Sequence, residues 1–290
     1  MTHHARLNLV MFATIIGLLV FLYFRPQSQD IQKYSVSSNS AETIQNLRIV
    51  RQQKEIVLNK SDDRWYMIEP IQARADERKI IEVLQILTAN SHQRFPLADL
   101  ERFGLNRPNI QLYIDNEYFS FGGFAPTTTQ QYMATGSYIY LISPRYAITL
   151  SLIASDLISP ILLASNEDPV KFELNHLTLE LQNGNWSSIS RDSMEILNKE
   201  IIRHWIHLWR TMRARELTIN QELGADFAEA INIKISLQDG QEINLKAFQN
   251  ETEWVFLRVN EGIGYHFPVD VGHQLLDPRE LQSHSILPES

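Results

Sequence analysis

The sequence predicts an α+β protein in which an N-terminal transmembrane helix precedes two tandem repeats, each a mainly antiparallel sheet packed on a helix. Three observations support this prediction. Leu7–Phe24 is a continuous apolar run, the apolar pattern beyond it repeats with Trp65 falling on Trp186, and both copies alternate apolar with polar residues at strand spacing. The predicted boundaries are 1–25 for a cytoplasmic stub and the helix, 26–46 for a Ser/Gln-rich linker, 47–165 for the first repeat, and 166–290 for the second repeat with a C-terminal tail.

The apolar run Leu7–Phe24 contains no charged residue. As a helix it would be about 27 Å long, which is close to the hydrocarbon thickness of a bilayer. A cleaved signal peptide is the alternative, but those segments end at small residues, whereas this run ends in Phe-Leu-Tyr-Phe followed by Arg25-Pro26. We therefore expect a retained single-pass anchor in the bacterial inner membrane, with the C-terminal module on the periplasmic side.

Composition excludes several classes of protein. A formal net charge of -8 disfavours nucleic-acid binding, which needs a concentrated basic surface. The chain has no cysteine, so disulfides, thiolate metal sites and cysteine nucleophiles are excluded.

The repeat persists through segments of different periodicity. Ile80 falls on Ile201 within predicted helices, and Ile110 falls on Ile231 within predicted strands. The helices are expected over Asp76–Asn90 and Ser193–Arg210, and a further helix over Arg145–Leu163 is expected to pack between the copies. Asp115-Asn116 and Asp239-Gly240 predict hairpin turns.

The first copy resembles the bacterial family of domains of unknown function numbered 4340. The resemblance is carried by four segments: Arg64-Trp65-Tyr66-Met67-Ile68-Glu69-Pro70, Ala75-Asp76, Phe103-Gly104-Leu105-Asn106-Arg107-Pro108 and Tyr138-Ile139-Tyr140-Leu141-Ile142. It covers roughly residues 47–165, and the second copy is a diverged version that keeps Trp186 but lacks both prolines. The resemblance implies a membrane-anchored protein, in some members an auxiliary subunit of an export system, and supplies no catalytic motif.

Three side-chain pairs are candidates for chemistry. His204 and His207 lie one helical turn apart, near enough to share a metal, but no third ligand has a recognisable spacing. Asp62-Asp63 and Glu167-Asp168 are paired carboxylates in predicted turns, where we expect solvated charges rather than an acid–base pair. We therefore predict no catalytic, cofactor-binding or metal-binding residues and no cofactor.

Other features favour structural roles. Arg210, Arg213 and Arg215 follow a predicted helix end, where cations suit the helix dipole, with an acidic partner surface as the alternative. Trp65 and Trp186 are expected in the core because they repeat at one position. Gly122-Gly123 lacks the context of a phosphate-binding loop.

Three functional hypotheses remain. The first is a non-enzymatic accessory or scaffold subunit of an envelope membrane complex, of the kind associated with transporters. Its partners would be the lipid bilayer, through Leu7–Phe24, and other membrane or envelope proteins, without nucleic acid. The second is a periplasmic module that binds a solute or glycan in the groove between the repeats, and the third is an unrecognised hydrolase. A scaffold should expose an apolar patch, whereas a binder should show a concave pocket with a few convergent polar groups.

Overall fold

A computed structural model of the chain describes residues 3–24, 32–150, 153–190, 197–219 and 230–281. It begins with a helix, α1 (His3–Phe24). In the described parts of the chain, no helix is long and apolar enough to cross a membrane. The predicted transmembrane segment Leu7–Phe24 is therefore wrong, and so are the single-pass anchor and the inner-membrane localisation. The periplasmic placement loses the anchor on which it depended.

The remainder is mainly β structure in three sheets, with few and short helices, so the predicted α+β class is also wrong. The predicted linker contains β1 (Tyr34–Ser35). The first repeat contains β2 (Asn46–Arg51), β3 (Lys54–Ser61), β4 (Arg64–Glu69), β5 (Ala73–Arg74), α2 (Glu77–Leu84), β6 (Asn90–Ser91), β7 (Arg94–Pro96), β8 (Ile110–Ile114), β9 (Glu117–Phe124), β10 (Gln131–Thr135), β11 (Tyr138–Ile142) and α3 (Arg145–Ile148). The second contains β12 (Pro169–Glu173), β13 (Leu177–Gln182), β14 (Asn185–Ser190), α4 (Lys199–Thr211), β15 (Glu216–Ile219), β16 (Ile231–Leu237), β17 (Glu242–Gln249), β18 (Glu253–Arg258), β19 (Ile263–Pro268) and α5 (Val269–Leu276).

The helices are shorter than predicted because parts of the predicted spans form 3₁₀ turns, strand pairs or isolated β-bridges instead. The first ends as α2 at Leu84 and continues as a 3₁₀ turn, after which β6 pairs with β1. The second is α4, and residues 193–196 of its predicted span lie outside the described residues. In the predicted helix Arg145–Leu163, the four residues of α3 are the only α-helical ones among those described, and Ile158 forms an extended bridge with Ala75.

The two large sheets have the same strand order. In the first it is β5-β4-β3-β2-β8-β9-β10-β11-β7, and in the second it is β14-β13-β12-β16-β17-β18-β19-β15. Among the described residues, β5 alone has no counterpart in the second sheet, and the equivalent positions fall within 191–196, outside the described ranges. Trp65 and Trp186 occupy the second position of the corresponding strands β4 and β14.

Two of the hairpins carry the turn residues that the sequence predicts. Asp115, with φ 46°, lies between β8 and β9, and Gly240, with φ 85°, lies between β16 and β17. These left-handed backbone conformations are tolerated by Asp and favoured by Gly.

The segment between the repeats ties the sheets together. Ala75, directly after β5, bridges to Ile158, and Ile161 bridges to Arg213, which precedes β15. Leu157, Leu162 and their neighbours belong to one buried apolar cluster that includes side chains of both repeats. The repeats therefore share a hydrophobic core, and the connecting segment forms the wall between them.

Candidate ligand-binding groove between the repeats

A buried cluster of charged residues lies where the repeats meet. Arg74 of β5 contacts Glu167 in the connecting segment through Nη1 at 3.3 Å and Glu261 through Nε at 3.1 Å. Arg258, the last residue of β18, contacts the same two carboxylates, with Nη2 at 2.9 Å from Glu167 and Nε at 3.1 Å from Glu261. Two guanidinium groups thus face two carboxylates, and the formal charges balance.

Tyrosine and backbone groups complete the hydrogen bonding of this cluster. Arg74 Nη2 donates to the Tyr265 hydroxyl at 2.9 Å and to the carbonyl oxygen of Ile161 at 3.1 Å. The backbone N–H of Ala164 donates to Glu167 at 2.6 Å. A buried charge group with every member hydrogen-bonded fixes one relative arrangement of its elements, so this cluster holds the repeats and the connecting segment in register.

Burial and the neighbouring charges shift the pKa values of Glu167 and Arg74 in opposite directions. Burial alone would raise the pKa of Glu167, but hydrogen bonds from Arg258 and the charges of Arg74 and Arg258 hold that pKa below its ordinary value. Burial would lower the pKa of Arg74, yet Tyr265, Glu261 and Glu167 together raise it. Burial raises the pKa of Tyr265 to about 12. At neutral pH Glu167 is therefore a carboxylate and Arg74 a guanidinium cation, and Tyr265 beside them is a neutral phenol.

A groove of about 190 Å³ opens beside this cluster, which we call the inter-repeat groove. Its lining comes from β4, from the turn into α2, from the connecting segment and from α4: Arg64, Trp65, Tyr66, Arg74, Ala75, Glu77, Ser159, Ile161, Leu163, Ala164, Ser165, Asn166 and Arg210. The groove thus combines an apolar wall with three guanidinium groups, one carboxylate, one amide and hydroxyl groups. Mixed linings of this kind are typical of sites for small molecules.

Two arginines from different repeats meet at Ser165. Arg64 Nη2 donates to the Ser165 hydroxyl at 3.0 Å, and Arg210 Nη2 donates to the Ser165 carbonyl oxygen at 3.3 Å. Arg210 also forms an ion pair with Asp168, whereas the ion pairs among the described residues give Arg64 no acidic partner. The buried Nε of Arg210 likewise has no hydrogen-bond partner in the described part of the chain. The groove is therefore lined by a guanidinium group from each repeat, and the one from the first repeat, Arg64, has no ion-pair partner among the described residues.

Glu77 positions the first-repeat wall of the groove. Its Oε1 accepts a hydrogen bond from the backbone N–H of Trp65 at 2.9 Å, and α2 begins directly after Asp76, whose side chain caps the helix. Asp76 in turn pairs with Arg213 of the second repeat at 2.6 Å. Both repeats therefore constrain the position of β4 and its arginine.

The paired carboxylates of the sequence have different environments. Asp62 and Asp63 are exposed in the β3–β4 turn with φ of 50° and 58°, as predicted for solvated turn charges. For Glu167 the prediction of a solvated charge is wrong, because its side chain is only 14% exposed and is paired with two arginines. Its neighbour Asp168 is 56% exposed.

The other singled-out residues lie as follows. His204 and His207 are both exposed on α4, and within the described ranges no group of three or more His, Cys, Asp or Glu side chains is placed to hold a metal. Arg210 and Arg213 form ion pairs within the chain, so they give no support to the alternative of an acidic partner surface. Trp65 is buried, as predicted, whereas Trp186 is only partly buried and packs on Phe172.

One further polar chain lies on the second sheet, away from the groove. Thr218 Oγ1 is 3.0 Å from His266 Nε2, and His266 Nδ1 is 2.9 Å from Glu253 Oε1. The order of hydroxyl, imidazole and carboxylate resembles a catalytic triad. The three residues lie on the adjacent strands β15, β19 and β18 and line none of the inter-repeat groove, so we assign them a cross-strand role.

Sequence reasoning missed Arg74, Glu261 and Tyr265 altogether. Their partners lie far along the chain, since Arg74 is separated from Tyr265 by 191 positions. No local motif records such contacts. One sequence signal for the groove was available. Arg64 begins the strand that carries Trp65, and Arg210 lies in the last turn of α4. The sequence does not show that these two arginines meet, because only the fold brings them together.

No family model matches the chain. No curated protein and no solved structure matches it either. The resemblance to the family numbered 4340 is therefore neither supported nor contradicted, and the geometry of the groove carries the functional argument.

Proposed function

We propose that the chain is a binding module that takes a small organic anion in the inter-repeat groove. The observation that supports this proposal most directly is the convergence of Arg64 and Arg210, one from each repeat, on Ser165. Guanidinium groups bind carboxylates and phosphates through charge-assisted, often paired, hydrogen bonds.

The lining favours a ligand with an acidic head and an apolar body. Ile161, Leu163 and Trp65 supply the apolar side, and Asn166 supplies an amide near the arginines. Arg64 carries the charge for recognition, because Arg74 and Arg210 already have acidic partners. A single acid group matches that arrangement better than a polyanion.

An anion in the inter-repeat groove would contact both repeats at once. The role of the duplication would then be to supply the two sides of the binding site. The buried cluster of Arg74, Glu167, Arg258 and Glu261 fixes the groove walls before a ligand arrives, so little ordering remains to be done on binding. The scaffold role expected from the sequence stays a prediction, and it is the conclusion that the experiment below would favour if no anion binds.

The test is isothermal titration calorimetry with a panel of small carboxylates and phosphate monoesters that carry aliphatic or aromatic groups. We expect at least one to bind with a Kd below about 1 mM. Arg64→Gln should weaken that binding at least tenfold, whereas the control Arg107→Gln, at an exposed arginine outside the groove, should leave it unchanged. Absence of binding across the panel, or equal effects of the two substitutions, would contradict the proposal.

A further inference from the structure

A second groove lies at one end of the first sheet and is formed by the first repeat alone. It encloses about 400 Å³ and shares no lining residue with the inter-repeat groove. Its walls are formed by the last residue of β2, the start of β8, the end of β9, the start of β10 and the loop that leads from Gly104 to β8. We call it the end groove.

The strand pairing places the main side chains of the end groove on one face of the sheet. Arg51 and Phe121 are the outer members of a row of Cα partners across β2, β8 and β9. Phe124 is paired with Gln131, which lies two residues before Met133, the partner of Phe121. Paired residues on neighbouring strands share a face of the sheet. Arg51, Phe124 and Gln131 therefore project from the same face.

Gln131 presents a hydrogen-bond acceptor to which the described residues offer no donor. The residue is only 6% exposed, and its Nε2 donates to the carbonyl oxygen of Gly122 at 2.9 Å. Its Oε1 is also buried and has no hydrogen-bond partner in the described part of the chain. A buried acceptor without a donor is destabilising. A ligand N–H that reached Oε1 would remove this penalty.

Two arginines make the end groove positively charged. Arg51 and Arg107 line it, and its described lining contains no Asp or Glu. Neither arginine belongs to an ion pair within the ranges that the structure describes. The Nη1 of Arg51 donates to the carbonyl oxygen of Leu150 at 2.7 Å, so the side chain is held in place without a ligand. The groove therefore favours an acidic group near Arg51.

The loop wall of the end groove is packed closely against β9. The N–H of Gly123 donates to the carbonyl oxygen of Phe103 at 2.9 Å, and a Cβ at position 122 would overlap that same oxygen. Gly104, with φ 69°, has the left-handed conformation that glycine adopts without strain. The wall is therefore formed before a ligand arrives, and little ordering is needed on binding.

Arg51 and Gln131 are too far apart for one small anion to contact both. Two strands, β8 and β9, lie between β2 and β10, so three strand spacings separate their backbones by roughly 14 Å. An extended peptide advances about 3.3 Å per residue, so about two to four residues span the gap once the reach of the two side chains is included. The groove therefore suits a short chain with an acid at one end and an N–H further along.

We propose that the end groove binds the C-terminal residues of an extended peptide. The terminal carboxylate accepts hydrogen bonds from the Arg51 guanidinium, whose planar geometry matches a carboxylate. A main-chain N–H further along the peptide donates to Gln131 Oε1, and a peptide side chain packs on Phe124, which is 64% exposed. A secondary amide has a single N–H, which matches the acceptor that Gln131 leaves open. Capture of a free C-terminal carboxylate is a recurring mode of peptide recognition.

The second repeat carries acidic residues at the equivalent positions. In the shared strand order, β12 and β18 correspond to β2 and β10. β12 ends with Glu173 and β18 begins with Glu253, where the first repeat has Arg51 and Gln131. A peptide carboxylate would meet like charges there, so the proposed site is specific to the first repeat.

The test is isothermal titration calorimetry on the full chain with a panel of acetylated tetrapeptides that vary in the last two residues. Each peptide is used with a free C-terminal carboxylate and, for comparison, with a C-terminal carboxamide. Acetate alone is titrated as well, since it supplies the acid group without the amide N–H. These comparisons use the wild-type chain and do not depend on the folding of any variant.

Five variants locate the binding site. Arg51→Gln removes the charge, Gln131→Leu removes the acceptor, and Phe124→Ala removes a ring that is largely exposed. Arg203→Gln, at an exposed arginine of α4, is the matched charge control, and Arg64→Gln alters the inter-repeat groove alone. Thermal melting of each variant shows whether it folds.

We expect at least one free-acid peptide to bind with a Kd below about 1 mM. The carboxamide ending and Arg51→Gln should each weaken binding at least tenfold, and Gln131→Leu and Phe124→Ala at least threefold. Arg203→Gln and Arg64→Gln should leave it unchanged. The proposal is overturned if no free-acid peptide binds, if the carboxamide peptide or acetate alone binds as tightly, or if Arg64→Gln weakens binding as much as Arg51→Gln.

Discussion

Arg258 holds Glu167 with two hydrogen bonds, from Nη2 to Oε1 at 2.9 Å and from Nη1 to Oε2 at 3.1 Å. This paired contact joins the last residue of β18 to the connecting segment between the repeats. Because Arg74 of the first repeat reaches the same carboxylate, one side chain links the three parts of the chain that form the inter-repeat groove.

Glu167→Gln should therefore destabilise the fold. The substitution leaves Arg74 and Arg258 with only Glu261 as a counter-charge, and breaking a buried ion pair from one side costs about 3–5 kcal/mol. Urea unfolding followed by circular dichroism measures this loss. Asp168→Asn is the matched control, because Asp168 is 56% exposed and its pair with Arg210 should contribute less than about 1 kcal/mol. Equal losses in the two variants would show that the cluster does not hold the repeats together.

The depressed pKa of Glu167 predicts how stability changes at acid pH. Its unfolded-state pKa is about 4.3, and its folded-state pKa is lower. The contribution of this group is therefore present above pH 4.3 or so and is lost as the pH falls through the folded-state pKa. The difference in unfolding free energy between wild type and Glu167→Gln should shrink over that acid range, and a difference that stays constant would contradict the assignment.

Tyr265 predicts the opposite trend at alkaline pH. Its pKa rises to about 12 in the folded chain, against an ordinary value of about 10. Its contribution is present below about pH 10 and is lost as the pH rises toward 12. Tyr265→Phe should remove this loss in an alkaline stability series, although the variant is less stable at pH 7 because the hydrogen bonds to Arg74 and Glu261 are missing.

Any side chain at position 272 of α5 is expected to clash with Trp254 and to destabilise the fold. A Cβ at this position would lie 2.2 Å from Cδ1 of Trp254, far inside contact distance. Gly272→Ala should cost about 1–3 kcal/mol by overpacking. Combining it with Trp254→Leu should cost less than the sum of the two single changes, since the smaller side chain relieves the clash. Strict additivity in urea unfolding would contradict the steric explanation.

Replacing each of the two repeated tryptophans by alanine is predicted to lower the unfolding free energy by different amounts. Trp65 is 5% exposed, so Trp65→Ala should cost about 3–5 kcal/mol. Trp186 is only partly buried against Phe172, so Trp186→Ala should cost clearly less. Chemical denaturation of the two variants measures both losses of unfolding free energy. A larger loss for Trp186→Ala than for Trp65→Ala would contradict this prediction.

The sequence predicted those parts of the fold that depend on local pattern. The buried face of α4, with Ile202, Trp205, Leu208 and Trp209, has the predicted helical spacing, and the Asp115 and Gly240 turns lie where their residue types favour them. Equivalent positions of Trp65 and Trp186 follow from the same patterning.

The groove could not be predicted in this way. Glu167 lies in a turn-like sequence beside Pro169, and its burial depends on Arg74 and Arg258, 93 and 91 positions away. The apolar stretch Arg145–Leu163 suggested a helix, but bridges to Ala75 and Arg213 hold parts of the connection extended. In both places tertiary contacts overrule the local pattern.

The most direct test of the proposed function is a titration of the arginine side-chain Nε–Hε signals by nuclear magnetic resonance, with the anion that binds best. Single Arg→Lys variants assign the signals. We predict that the signals of Arg64 and Arg210 shift in a saturable way with one common Kd, while that of Arg107, outside the groove, stays in place. Saturable shifts that leave Arg64 and Arg210 unaffected would place the anion elsewhere and contradict the inter-repeat groove as its site.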